Sequence, residues 1–233
     1  MWIDPSFADF IRRHPELAAV REYLPASPAP AFEGQAAINA LQSSYVDRGY
    51  GSLFYALVRT LRPRQCVEIG IFQGLSLLSA AAALRDNGAG AIAGYDLFDD
   101  YPYRHADQSQ VARQVTASGL EPWTSLHRAE AAAVHELWAS VDYLHVDVSN
   151  TGDTYRQVFA QWSGKVRQVI VLEGGSRERD NVDWMLQYRK PAIVPAIAGI
   201  ARAYPEWSLA VLEPFPSLTI AVNMAAMAGR RRP

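Results

Sequence analysis

Residues 66–76 read CVEIGIFQGLS: an apolar run, an acidic residue, two glycines four apart, then residues suited to open a helix. Gly70 ends the apolar run where the backbone must turn sharply, and Gly74 is expected to let the next helix approach a ligand with no Cβ in the way. The spacing Glu68-x-Gly70-x-x-x-Gly74 lacks the middle glycine of G-x-G-x-x-G, because Phe72 stands there. A pyrophosphate needs close backbone approach at that point, and a bulky residue opposes it. Glu68 would repel phosphates but can balance a cationic amino group. A turn of this kind can grip phosphates or cradle a nucleoside that has none, and these residues favour the second.

Outward from this turn the pattern is regular. Short apolar runs suited to buried strands occur at 65–70, 91–98, 124–129, 143–149 and 168–174. Helix-like stretches precede and separate them, at 52–61, 75–86, 107–118, 130–139, 153–162 and 178–190. Such alternation predicts an α/β fold, a doubly wound and mainly parallel sheet with ligand-binding loops along one edge. The end breaks the alternation: WSLAVLEPFPSLTIAVN (207–223) is two strands joined by a Pro-rich turn with no room for a helix. So short a turn makes the last strand antiparallel to its predecessor, giving seven strands in all.

The first 45 residues differ in character. Helical spacing at Phe7, Phe10, Ile11, Leu17 and Val20, then the Pro-rich link PASPAPAF (25–32), reads as a helical extension and connector over 1–45. The main domain is expected over 46–233. Trp2, Phe7, Phe10 and Tyr45 can serve as a lid or as a homodimer contact, and both readings stay open.

Composition narrows the function classes. Hydrophobic residues make up 49% of the 233, enough for a sizeable core, and the net charge of −2 gives no general pull towards nucleic acid or anionic membrane. Aromatic residues do not line up with Lys or Arg along a face, so a nucleic-acid partner is not expected. The tail GRRRP (229–233) is too short to change that. The lone Cys66 excludes an internal disulfide framework and a thiolate-rich metal cluster. No stretch reaches the run of about 20 apolar residues that crosses a bilayer, and a soluble, cytoplasmic protein is expected.

Asp96, in GYDLF at the end of the second strand, comes 22 residues after Gly74. A carboxylate there can accept hydrogen bonds from both hydroxyls of a ribose. Taken in order, VEIGIFQGLS, AGYDLF, LHRAE, YLHVDVS, VIVLEGG and the closing hairpin resemble a class I S-adenosylmethionine-dependent methyltransferase. The likeness covers about residues 45–223 and is nearest to the small-molecule enzymes whose first motif reads E-I-G-x-x-x-G-x-S. It implies S-adenosyl-L-methionine as cofactor, a small-molecule acceptor methylated at O or N, and a setting in specialised metabolism. It also implies that Gly70, Phe72, Gly74 and Ser76 line the cofactor's methionine end, with Glu68 near its amino group. Asp96 would bind the ribose and Leu97 the adenine, bordered by Arg128, Ala129 and Glu130. Asp147 and His145 would face the transferred methyl.

The fourth strand alternates so that Tyr143, His145 and Asp147 share one face, Asp147 nearest the ligand edge. Asp147 and His145 are therefore the candidate bases, although a strand histidine can equally be a hydrogen-bonded core residue. Many relatives hold a divalent metal with one Asp after strand four and an Asp followed by Asp or Asn after strand five. Here Asp147 fits the first position, but the second reads Glu173-Gly174-Gly175. A metal, if used, would take Asp147, Glu173 and a third oxygen from Asn150 or Asp153; metal dependence stays open. Glu173 can instead pair with Arg177 or Arg179. Tyr101, Tyr103, Arg104 and His105, in the loop 98–108, can stack on or hydrogen-bond a planar acceptor, as can Glu173. Two rivals remain: a nicotinamide-dependent oxidoreductase, and a non-catalytic nucleoside-binding protein of the same fold.

Overall fold

The computed structural model describes residues 32–103 and 106–225. The expected N-terminal helix, all of the connector but Phe32, Arg104, His105 and the basic tail lie outside the described residues. Among the described residues no helix is long and apolar enough to cross a membrane.

The chain forms two compact units, the first ending at Val134 and the second beginning at His135. In the first unit, α1 (Gln35–Asn39) and α2 (Tyr50–Leu61) precede β1 (Gln65–Ile69), α3 (Leu75–Asn87), β2 (Ala91–Asp96), α4 (Gln108–Ala117) and β3 (Thr124–Arg128). The second holds β4 (Val141–Val146), α5 (Gly152–Trp162), β5 (Val166–Glu173), α6 (Arg177–Asp180), α7 (Asp183–Gln187), α8 (Ile193–Ala203), β6 (Trp207–Leu212) and β7 (Leu218–Asn223). The sheet has seven strands in the order β3-β2-β1-β4-β5-β7-β6.

In the first unit β1 runs parallel to β2, with Glu68 opposite Gly94, and β2 runs parallel to β3, with Asp96 opposite Arg128. Helix α3 is buried from Leu75 to Leu84. Its run Ala80–Ala83 has no accessible surface, so small side chains let the helix lie close to its neighbours. Gly88 ends it in the left-handed region, φ 65°, its N–H returning to Leu84 and Arg85. Tyr45 is a core residue: its ring lies 5.7 Å from that of Tyr50 and 5.6 Å from that of Phe54. A buried ring is not available as a lid or dimer contact, which corrects that expectation for Tyr45.

In the second unit β4 pairs parallel with β5, and β7 pairs antiparallel with both β5 and β6. The closing hairpin is therefore as expected, with β7 inserted between β5 and β6. Two helix expectations need correction. Residues 130–139 form only a 3-10 turn at Val134–Leu137, because Val134 is the one buried residue there and a helix would have had no apolar face to dock. The stretch 178–190 is not one helix but α6 and α7, interrupted where Val182 is extended. Asp180, at the end of α6, turns its carboxylate to the N–H groups of Ile193 (2.6 Å) and Val194 (2.9 Å). Those bonds satisfy the first turn of α8, a helix the sequence reading did not include.

Candidate functional site

In the first unit the glycine turn is held from below and from the side. Glu68 has no accessible surface, and its Oε1 accepts a hydrogen bond of 2.7 Å from Ser76 Oγ in the first turn of α3. Gly70 and Gly74 have φ values of 85° and 93°, and Phe72 stands at 49°. A Cβ on Gly74 would meet Val111 and Leu78 only at ordinary distances of 3.6 Å and 3.7 Å. Within the protein itself, glycine is thus required there by the backbone angle.

Asp96 does more than end β2. Its Oδ2 accepts from the N–H of Ile71 (2.6 Å) and of Phe72 (3.2 Å), and its Oδ1 from the N–H of Phe98 (2.8 Å). One half-buried carboxylate therefore fixes the glycine turn and the start of the next loop together. Of about four lone-pair directions on a carboxylate, three are used by the protein. Leu97 is half-buried beside it, and Ala129 donates its N–H to Asp96 O at 3.1 Å.

Beyond Asp96 lies an open cleft of about 550 Å³ lined by Asp99, Asp107, Gln108, Ser109, Ala112 and Arg128. Arg128 bridges Asp99 at 2.6 Å and Asp100 at 2.5 Å. Bonding to this guanidinium and to backbone N–H groups holds the Asp99 carboxyl below the usual range. The bridge was not foreseen, because it joins residues of two strands' ends that only the β2–β3 register brings together. Tyr101 and Tyr103 meet edge to face at 5.3 Å, and Tyr103 is 73% exposed. Glu130 is exposed.

In the second unit a polar cluster gathers at the ends of β4 and β5. His145 is fully buried, and Asp147, just past β4, is half-buried. Glu173 closes β5 in a two-point pair with Arg179: Nε to Oε1 at 2.5 Å and Nη2 to Oε2 at 3.0 Å. The same Nη2 reaches Asn150 O at 3.1 Å, and the guanidinium carbon lies 4.9 Å from the Trp184 ring centre. Burial pushes the Glu173 carboxyl up to about 7; Arg179 and His145 pull it down and Asp147 pushes it up. Of the two arginines weighed for Glu173, Arg179 is the partner.

A divalent ion does not fit these residues. Both Glu173 oxygens are engaged by a guanidinium, and among the described residues no group of three or more His, Cys, Asp or Glu is placed to hold an ion. The next position cannot supply a ligand either. Gly174 has φ 102°, and a Cβ there would lie 2.8 Å from Ile193 Cδ1 and 3.3 Å from Arg179 Cγ. Gly174→Asn, which would restore an acid–amide pair after β5, is expected to destabilise the protein by about 2–3 kcal/mol. A melting temperature lowered by about 5–10 °C would show it.

The described fold is that of the class I methyltransferases, and residues 67–172 match the family described as a methyltransferase domain. That stretch runs from β1 to β5 and contains Asp96, Asp147 and the glycine turn. Among solved structures the chain is similar to the O-methyltransferase from Bacillus cereus in complex with SAH, with 18% identity and a TM-score of 0.63 over 88% of this chain and 97% of that one. It is also similar to the O-methyltransferase TomG from Streptomyces achromogenes, involved in tomaymycin synthesis and bound to SAM (17%, 0.58, 89% of each chain). A third is the SAH-bound methyltransferase PaMTH1 of Podospora anserina (17%, 0.56, 95% and 97%). No curated protein matches the chain in sequence.

Proposed function

We propose that the chain transfers the methyl group of S-adenosylmethionine to an oxygen or nitrogen of a small-molecule acceptor. The observation that carries this reading is the glycine turn fixed by the Asp96 carboxylate within the matched methyltransferase domain. The residues suit a sulfonium nucleoside. The turn is built on left-handed backbone at Gly70 and Gly74, and Asp96 keeps one direction on Oδ1 for a ribose hydroxyl. Leu97 and Ala129 offer apolar contact for the adenine, next to the cleft that Arg128 borders. Glu68, with no accessible surface, acts by anchoring α3 through Ser76 and not by touching the amino group.

When bound, the cofactor supplies a methyl carbon activated by positive sulfur. The acceptor heteroatom loses a proton to a base and forms its bond to that carbon as the C–S bond breaks, the bonding pair going to sulfur. Charge is balanced: a cationic sulfonium becomes a neutral thioether and the base carries the proton. Asp147 is the candidate base because it is half-buried, whereas the fully buried His145 is better placed to tune its neighbours electrostatically. The half-buried Tyr101 and the exposed Tyr103 are candidate acceptor contacts.

The test is transfer of labelled methyl from S-adenosylmethionine to a panel of phenols, alcohols and amines. Asp147→Asn is expected to lower kcat about 100-fold or more on whichever acceptor reacts, with S-adenosylhomocysteine binding kept within about threefold. An unchanged kcat would remove Asp147 from the chemistry, and no transfer to any acceptor would favour a non-catalytic nucleoside-binding protein.

A further inference from the structure

The ends of β4 and β5 hold the acidic and amide oxygens from which a divalent-cation site would be assembled, yet a cation is already built in. Glu173 gives both oxygens to Arg179. Asp147 lies close enough to push the Glu173 carboxyl up. Asn150 receives Arg179 Nη2 on its backbone oxygen, while its Oδ1 is buried with no hydrogen-bond partner. Arg179 is itself 4% exposed, with Trp184 over its guanidinium. Its Nη1 is likewise buried with no hydrogen-bond partner.

We propose that Arg179 is a fixed internal cation standing where related methyltransferases place a divalent metal, so that acceptor binding here is metal-independent. The inference rests on the methyltransferase reading but concerns only how this cluster is neutralised. Three observations support it. A guanidinium bound at two points to the carboxylate occupies one lone pair on each oxygen, neutralises its charge and repels a metal ion electrostatically. The position after Glu173 is held to glycine by its φ of 102° and by the nearness of Ile193, so the second ligand of a carboxylate–amide pair is excluded. Asn150 and Arg179 are 0% and 4% exposed, so the guanidinium fills its side of the cluster and leaves no open position there for a hydrated ion. Arg179 is thereby a positioning residue: it sets the charge and geometry of Glu173 and Asn150 without itself reacting.

The test is Mn²⁺ titration followed by electron paramagnetic resonance of the free ion, on the full-length wild type, Arg179→Met and the double variant Arg179→Met/Asp147→Asn, at pH 8. The wild type is expected to bind no Mn²⁺ up to millimolar concentration. Arg179→Met, freed of its cation, is expected to gain a site with a dissociation constant of about 1 mM or below, at least tenfold tighter than wild type, and the double variant to lose it. A wild-type Mn²⁺ site that disappears in Asp147→Asn would overturn the proposal. So would a folded Arg179→Met protein that gains none. If Arg179→Met does not fold, wild-type binding decides alone: none supports the internal cation, and a site dependent on Asp147 contradicts it. S-adenosylhomocysteine binding to the wild type is measured in parallel. If it binds while Mn²⁺ behaves otherwise than stated, the inference about Arg179 fails and the methyltransferase reading stands. If it does not bind, the reading itself fails.

Discussion

Asp96→Ala is expected to weaken S-adenosylhomocysteine binding by about 100-fold or more. The change removes a carboxylate that holds the N–H groups of Ile71, Phe72 and Phe98 at 2.6, 3.2 and 2.8 Å. Charge-assisted bonds of this kind contribute about 1.5–3 kcal/mol each where water cannot replace them, and less here because the site is half-buried. The loss has two parts. One is the direct contact proposed for the ribose. The other is order in the glycine turn, where Phe72 holds a left-handed φ of 49° that an unsupported loop would relax. Hydrogen exchange separates them: the amides of Ile71 and Phe72 should exchange faster in the ligand-free variant than in the ligand-free wild type. Asp96→Asn keeps only one carbonyl oxygen for these donors, so its effect should be intermediate, about tenfold. Unchanged affinity in Asp96→Ala would contradict both parts.

The second large effect is a pH dependence of stability centred on Glu173. Burial raises its carboxyl to about 7 against an ordinary 4.5. The folded protein thus holds this proton more tightly than the unfolded chain does. The group's contribution to stability is fully present below about pH 4.5 and is lost as pH rises through about 7, by as much as about 3 kcal/mol. Glu173→Gln cannot titrate, so the difference between wild type and this variant isolates the slope. Arg179→Met removes the cation that pulls the carboxyl down, so its loss of proton shifts to higher pH. That variant should be close to wild type near pH 6 and progressively worse at pH 8.5. Urea unfolding at pH 5, 6, 7 and 8.5 measures all three. A Glu173→Gln variant that follows the wild-type slope would show that Glu173 is ionised throughout.

Much of the fold could be read from the chain because the signals were local. Five apolar runs with helical intervals imply parallel strands, and a Pro-rich turn too short for a helix implies the antiparallel hairpin at β6 and β7. Helix α8 was not among the helix-like stretches, and it carries a proline in its first turn. Pro195 sits at the third residue of the helix, where a missing N–H leaves no bond unmade. The stretch 130–139 failed as a helix because, although its alanines favour one, Val134 is its one buried residue.

The candidate site was legible by residue type and less so by role. Asp96 could be placed at the end of its strand. Its partners Ile71 and Phe72 are 25 and 24 residues away, so the clamp on the turn exists only once β1 and β2 pair. Glu173 was seen as a buried acid in need of a partner. Choosing Arg179 over Arg177 requires the turn of α6, where Ser176 caps the helix and Arg179 comes round to face β5.

The account's central claim is that the glycine turn holds a sulfonium nucleoside and no phosphate. Calorimetric titration of the wild-type protein with S-adenosylhomocysteine and, separately, with NAD tests it most directly. Micromolar binding of S-adenosylhomocysteine and none of NAD is the predicted result; binding of NAD alone would contradict the account and restore a nicotinamide-dependent oxidoreductase.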